Sequence, residues 1–274
     1  MTDQEFEVVR KILQERSGIV LEPGKEYLVE TRLVPLARQL NLQSIGELIA
    51  QLRFQSGNGL QRQIVEAMVT TESSFFRDHH PFEALRKVVI PDLIIRRRAE
   101  RSLSIWCAAC STGQEPYSVA LLIREQFPEL NGWKVSLLAT DLSRQVLDRA
   151  REGQFNQIEV NRGLSAALLV KYFDQHGTHW QLKPAIRAMV EFQEINLTQA
   201  WPALRAMDLV LIRNVMIYFD VETKKAILNR LQRVLRPDSY LLLGGAETTF
   251  GLSDSYVRTE PIKAGLYQLV SKAD

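Results

Sequence analysis

Through residue 70 the apolar positions fall at helical spacing. Phe6, Val9 and Leu13 recur at i, i+3, i+7, Ile45, Leu48, Ile49 and Leu52 at i, i+3, i+4, i+7, and Leu60, Ile64 and Met68 at i, i+4, i+8. The stretches "EPGK" and "SGNG" interrupt them with turn-forming residues, so the pattern predicts a small all-α N-terminal bundle. From about residue 77 the period changes. Short apolar runs, "LSIWCAA" (103–109), "KVSLLATD" (134–141), "DLVLIRN" (208–214), "YLLLGG" (240–245) and "GLYQLV" (265–270), read as strands. The amphipathic stretches "PYSVALLIREQF", "SRQVLDRAREGQF" and "VETKKAILNRLQRVL" read as helices, the last stopped by Pro237. The order β, α, β, α, an interruption, then β, α, β predicts an α/β domain on a largely parallel sheet. The interruption, residues 156–192, carries short alternating pieces separated by Gly and Pro and reads as a small antiparallel insert. Two domains are expected, residues 1–75 and 76–274.

Composition narrows the class. With 274 residues, 46% hydrophobic and 24% charged, the chain can bury a sizeable core and is neither disordered nor fibrous. No apolar run has membrane-spanning length, so the chain is not expected to insert in a membrane. The start "MTDQEFEVVR" lacks the basic and apolar regions of a secretory signal, so a cytoplasmic location is expected. A net charge of +2 gives no ground for a nucleic-acid partner, and none is expected. The basic run "RRRAER" (96–101) reads as a solvated helix face or loop.

Both cysteines, Cys107 and Cys110, lie in "WCAACSTGQEPYS" (106–118). A redox dithiol places its first thiol at a helix N-terminus, whereas Cys107 falls within a strand run. A structural zinc site needs four ligands, and no second C-x-x-C exists. His79, His80, His176 and His179 leave a Cys2His2 set open by count. Two small buried hydrophobes are the simpler reading. Position suggests more. "AACSTGQE" joins the first strand to its helix, the place where α/β folds bind nucleotides, and small residues there let a ligand approach free N–H groups. Ser111 or Thr112 is placed to cap that helix, with Pro116 in its first turn. Asp141 ends the second strand, where a carboxylate can accept ribose hydroxyls. The full G-x-G-x-x-G is absent and only Gly113 is present. An adenosine-type cofactor without phosphates, such as S-adenosylmethionine, therefore fits better than a dinucleotide, with another Rossmann ligand as the alternative.

The motifs "TTESSFFRD" (70–78), "AACSTGQEPYS" (108–118), "ATD" (139–141) with "INL" (195–197), "IRNVMIYFD" (212–220) and "GGAETTFGLSDSY" (244–256) resemble, in order and spacing, the chemotaxis receptor methyltransferase family, CheR. The resemblance spans nearly the whole chain. It implies an all-α N-terminal domain and a Rossmann-like methyltransferase domain with a β-subdomain. The implied reaction moves the methyl of S-adenosylmethionine to glutamate side chains of chemoreceptors, leaving S-adenosylhomocysteine. Implied cofactor contacts are Thr71, Ser73, Arg77, Glu115, Asp141, Asn196, Leu197, Arg213 and Asn214. In "VTTES", Thr71 stands where relatives commonly have Asn and Ser73 where they have Thr. Ser keeps the hydroxyl, while Thr71 loses an amide that both donates and accepts.

An acceptor carboxylate with a pKa of about 4.3 is already ionised at neutral pH and needs no general base. Arg77 is the expected residue near the reacting centre, as a guanidinium fork for a carboxylate, and Tyr218 the second, through its hydroxyl. Relatives recognise receptor through basic residues of the second N-terminal helix, which the resemblance assigns to Arg32 and Arg38. The hairpin region "YFDQHGTHWQLKPAIRAMVEF" lacks the Gly-containing insertion of relatives that tether to a receptor's C-terminal pentapeptide, so tether-independent action by a monomer is expected. The alternatives are methylation of another protein or a small molecule, and a non-enzymatic module that binds the cofactor product.

Overall fold

The computed structural model describes residues 1–54 and 59–270, and residues 56–58 of the break expected at "SGNG" lie outside them. The chain divides into two compact units, residues 1–70 with 218–223, and residues 71–217 with 224–274.

The first unit holds α1 (Asp3–Ser17), α2 (Glu26–Gln39), α3 (Ile45–Phe54) and α4 (Gly59–Met68). Thr2 and Glu5 form a reciprocal capping box that starts α1, and Gly18 at φ 71° ends it. The apolar stripes found in the sequence are the buried ones: Phe6, Val9 and Leu13 from α1, Leu48 from α3, Leu60, Ile64 and Met68 from α4, with Val29 and Leu33 from α2. Arg32 turns inward. It donates to the Met68 carbonyl and to Thr70 Oγ1 (3.1 Å), closing the C-terminal end of α4. Burial lowers its pKa. Arg38 stays exposed. Tyr218 belongs to this unit, where its carbonyl accepts from Val20 N–H at 2.9 Å and Ile19 bridges Phe219 antiparallel.

The second unit opens with α5 (His79–Ala84), which runs through a π-helical turn (Leu85–Val89) into α6 (Ile90–Arg96). The wider turn accommodates Pro91, which has no N–H to donate. Then come β1 (Ser102–Ala108), α7 (Gln114–Gln126), β2 (Lys134–Asp141), α8 (Arg144–Glu152), β3 (Gln154–Asn156), α9 (Gln157–Asn161) and α10 (Ala166–Tyr172). They are followed by β4 (Phe173–His176), β5 (His179–Leu182), α11 (Pro184–Arg187), β6 (Val190–Glu194), β7 (Met207–Ile212), α12 (Val221–Val234), β8 (Leu235–Leu243), β9 (Tyr256–Arg258) and β10 (Leu266–Leu269). Seven strands form one sheet in the order β6-β2-β1-β7-β8-β10-β9. β6, β2, β1, β7 and β8 run parallel to one another, and β10 runs antiparallel to both β8 and β9. β1 and β7 are buried on both faces and are accordingly mostly apolar, with Ser104 and Asp208 as buried polar exceptions. Trp106, fully buried in β1, satisfies its indole N–H on Thr140 Oγ1 of β2 at 2.9 Å. The small antiparallel sheet β3-β5-β4 is the insert.

Four expectations need correction. The insert's end was set at residue 192, but residues 190–192 already belong to β6, which pairs parallel with β2; the run is too short and half-polar to announce a core strand. Strand β8 starts at Leu235 rather than 240, because the chain passes from α12 directly into extended backbone that includes Pro237. Neither Ser111 nor Thr112 caps α7: Gly113 holds that position without a side-chain bond, while the two hydroxyls donate to the Thr71 carbonyl and to Gln114 Oε1. "RRRAER" is not uniformly solvated. Arg97 is 5% exposed; it donates through Nε to Asp208 Oδ1 (2.6 Å) and through Nη1 to Asp238 Oδ2 (2.8 Å). Asp208 also accepts the Ser104 N–H at 2.7 Å, which fixes the start of β1 to β7.

Removing one partner of such a buried pair strands the other charge, which costs about 3–5 kcal/mol. Arg97→Leu is expected to lower unfolding stability by that amount in urea titrations; a loss below about 1 kcal/mol would contradict a structural role for the pair.

Candidate active site

The strand order reverses at β1. From it the chain builds outward first to β2 and β6, then on its other side to β7, β8, β10 and β9. Such a switch point leaves a crevice at the carboxyl ends of the strands, where α/β folds bind ligands. The loops there hold an unusual share of strained backbone. Phe76, Asp78, Ala109, Ser111 and Asn214 all have φ between 47° and 61°, a region that non-glycine residues occupy at a cost and that concentrates at functional sites. Gly113, at φ 93°, permits the tight entry into α7, where an added Cβ would come within 3.0 Å of Ala150 Cβ.

Arg213, at the end of β7, ties these loops together. Its side chain is 1% exposed. Nη1 donates to Glu115 Oε2 at 2.7 Å, and Nη2 donates to the Arg77 carbonyl at 2.9 Å and to Asp78 Oδ2 at 3.0 Å. The guanidinium also lies over the Phe82 ring, 5.9 Å from its centroid. Three segments, 71–78, 109–118 and 212–216, are thereby locked. Two further bonds support the first of them, Ser111 Oγ to the Thr71 carbonyl (2.8 Å) and Phe76 N–H to Ser118 Oγ (2.9 Å). Burial pushes the Glu115 carboxyl above the ordinary carboxylate value, and the adjacent Arg213 opposes that rise.

Asp141, 6% exposed, is oriented from both sides, by Ser111 N–H on Oδ2 (2.9 Å) and Ser143 N–H on Oδ1 (3.1 Å). Its carbonyl accepts from Ile195 N–H at 3.0 Å, bringing the Asn196–Leu197 loop alongside. Asn196 Oδ1 accepts from Thr198 N–H (3.0 Å) and its hydroxyl (2.8 Å), and the Leu197 carbonyl accepts from Trp201 Nε1 and Arg230. Arg77 donates to the Glu72 carbonyl at 3.3 Å, and Ser73 is half-buried. Thr71, Arg77, Glu115, Arg213 and Asn214 thus lie on interlinked loops, with Asp141 joined through Ser111. Tyr218, Arg32 and Arg38 lie in the first unit. Sequence reading gave no role to Asp78 or to Glu247, which is 8% exposed and binds the Asn214 N–H at 2.9 Å. Only the acidic residue inside the quoted "GGAETTF" signalled the latter.

Cys107 and Cys110 are buried, and burial pushes both thiol pKa values up. The remaining donor set is one acidic side chain at the end of β2, a second in the first turn of α7, small residues between them and an arginine on the adjoining loop. It fits a zwitterionic adenosyl ligand bearing a sulfonium: carboxylates for hydroxyls and ammonium, a guanidinium for a carboxylate.

Fold and site together define an α/β protein with a crevice at the carboxyl ends of its central strands. The comparisons are specific. Residues 71–263 match the model of the CheR methyltransferase SAM-binding domain, and residues 4–69 match the CheR methyltransferase all-alpha domain. The chain is 43% identical over 257 residues to chemotaxis protein methyltransferase 1 of Pseudomonas aeruginosa, covering 92% of this chain and 93% of that one. It is 40% identical over 269 residues to the chemotaxis protein methyltransferase Cher2 of Pseudomonas putida, covering 96% and 97%. A chemotaxis protein methyltransferase of Vibrio cholerae is 35% identical, with 95% and 96% covered. The chain belongs to the CheR methyltransferase family, and S-adenosylmethionine is its cofactor. No helix among the described residues is long and apolar enough to cross a membrane.

The Glu115 environment makes a signed prediction. Its folded-state pKa is raised, so protonation favours the native state. The stability contribution of this group declines as pH climbs from the unfolded value through the folded one, and is flat above. Arg213→Met removes the opposing charge, so the Glu115 carboxyl should titrate at higher pH than in the unmodified chain, read by NMR on labelled glutamate. An unchanged or lower midpoint would contradict the pairing.

Proposed function

We propose that the chain transfers a methyl group to glutamate side chains on the cytoplasmic helical region of chemoreceptors, forming methyl esters. The observation that supports this most directly is the convergence of Asp141, Glu115 and the Arg77 loop at the switch point of a CheR-family fold. When bound, S-adenosylmethionine supplies an electrophilic methyl on a sulfonium. Asp141 holds the ribose hydroxyls, and Glu115 faces the ammonium end. The acceptor needs no base, since a carboxylate is already a nucleophilic anion. What the residues contribute is alignment, for which favourable cases yield about 7–11 kcal/mol. Arg77 orients the acceptor carboxylate or the cofactor's own carboxylate through its guanidinium fork. Arg213 has protein partners on both terminal nitrogens, so its part is to hold Glu115 and the Arg77 backbone. Thr71, Ser73, Asn196, Leu197 and Asn214 complete the cofactor's surroundings.

Receptor recognition falls to the basic side of α2. Arg38 is exposed and free to meet an acidic helix surface, while Arg32 is half committed to the end of α4. The short β4–β5 hairpin, Phe173 to Leu182, favours action without a pentapeptide tether.

Incubation with methyl-labelled S-adenosylmethionine and receptor-containing membranes should give label released as methanol by base; label stable to base would contradict ester formation. Arg77→Ala should abolish transfer with the fold intact by circular dichroism, and near-normal turnover would remove Arg77 from the mechanism. Asp141→Ala should weaken cofactor binding severalfold or more in calorimetry, and unchanged affinity would sink its ribose role.

A further inference from the structure

The loop that follows β7 has a hub outside the residues considered so far. Glu247, 8% exposed, lies just beyond β8. Its carboxylate accepts four backbone N–H groups: Oε1 from Val215 (2.9 Å) and Met216 (2.7 Å), and Oε2 from Asn214 (2.9 Å) and Gly244 (2.7 Å). Hydrogen bonds to a carboxylate are about twice as strong as neutral ones. Three of the four donors are consecutive, and they belong to the segment that leaves β7 with Asn214 held at φ 58°. Two of these amide bonds are part-buried and the third is buried, so without partners the donors would be left largely away from water. Gly244 is built for the approach, since a Cβ there would come within 2.6 Å of Glu247 Oε2 and 2.8 Å of Asn214 N.

We infer that Glu247 is a positioning residue: by gathering the amides of residues 214–216 it holds Asn214 in its left-handed conformation, with its side chain committed to the cofactor. This rests on the proposed cofactor site. Glu247 acts through Asn214 and through the backbone, and does not itself touch the reacting atoms. Charge and shape are both required. In glutamine one oxygen becomes an NH2, which would face two N–H donors with nothing to accept. Glu247 also adds to the rise in the Glu115 pKa by charge repulsion, so the two carboxylates share one field.

The test uses the full chain and S-adenosylhomocysteine as the probe. Glu247→Gln should bind at least about tenfold more weakly in calorimetry, and the amides of residues 214–216 should lose hydrogen-exchange protection while those of β7 keep it. Asn214→Ala should weaken binding comparably, and the double variant should be within about twofold of the weaker single one, because both changes remove the same contact. Removing the charge at 247 should also lower the Glu115 midpoint. Glu247→Gln binding as tightly as the unmodified chain, or losses that multiply in the double variant, would overturn the assignment. If glutamine prevents folding, Glu247→Asp, which keeps the charge on a shorter arm, must show the same losses in smaller measure, and normal binding by that variant with exposed amides overturns it equally. Should the unmodified chain fail to bind S-adenosylhomocysteine, the functional reading falls, and the exchange pattern alone still decides whether Glu247 holds the loop.

Discussion

The site depends on one buried cation. Arg213 arrives at the crevice because β7 ends there, and its guanidinium meets a carboxylate on α7 and a carbonyl and a carboxylate on the loop before α5. A planar fork with five donors can serve several acceptors at once, which an ammonium on a flexible stem does less well. That partner set serves both terminal nitrogens while the buried Nε has no hydrogen-bond partner, and burial raises the Glu115 pKa. The left-handed backbone at Asp78 and Asn214 persists because this pairing and the Glu247 bonds over-determine it.

The opposite end of the sheet shows the same device in a structural role. Arg97 and Asp208 join the approach to β1 with β7 and, through Asp238, with β8. The two ends differ in what surrounds the pair. At the amino ends the acceptors come from the sheet itself, whereas at the carboxyl ends they come from the first turn of α7 and from a loop with left-handed backbone at Phe76 and Asp78. Clamping the inert end and spending the strain at the reactive end is consistent with a catalyst whose work is alignment.

Much of the fold was legible from periodicity. "KVSLLATD" became β2 over the same residues, 134–141, since a continuous apolar run bounded by polar residues has one place in a parallel sheet. The helical stripe of α1 was plain because one face is polar throughout. Strand β6 escaped notice because "VEFQE" is half-polar and is defined only by its pairing with β2. Arg97 was misread because a basic run gives no sign of which member meets an aspartate 111 positions on. Within the site, Asp141 stood out from its place at the end of β2, while Glu115, Arg77 and Arg213 came only through the family motifs. Glu247 was hidden for a physical reason: its partners are backbone amides, which leave no trace in residue types.

The central claim is that the cofactor lies at the carboxyl ends of β1 and β2, between Asp141 and Glu115. A crystal structure with S-adenosylhomocysteine tests it most directly. The account predicts the ribose hydroxyls on Asp141 and the amino-acid end beside Glu115 and the Arg77 loop; a ligand seated away from those strand ends would contradict it.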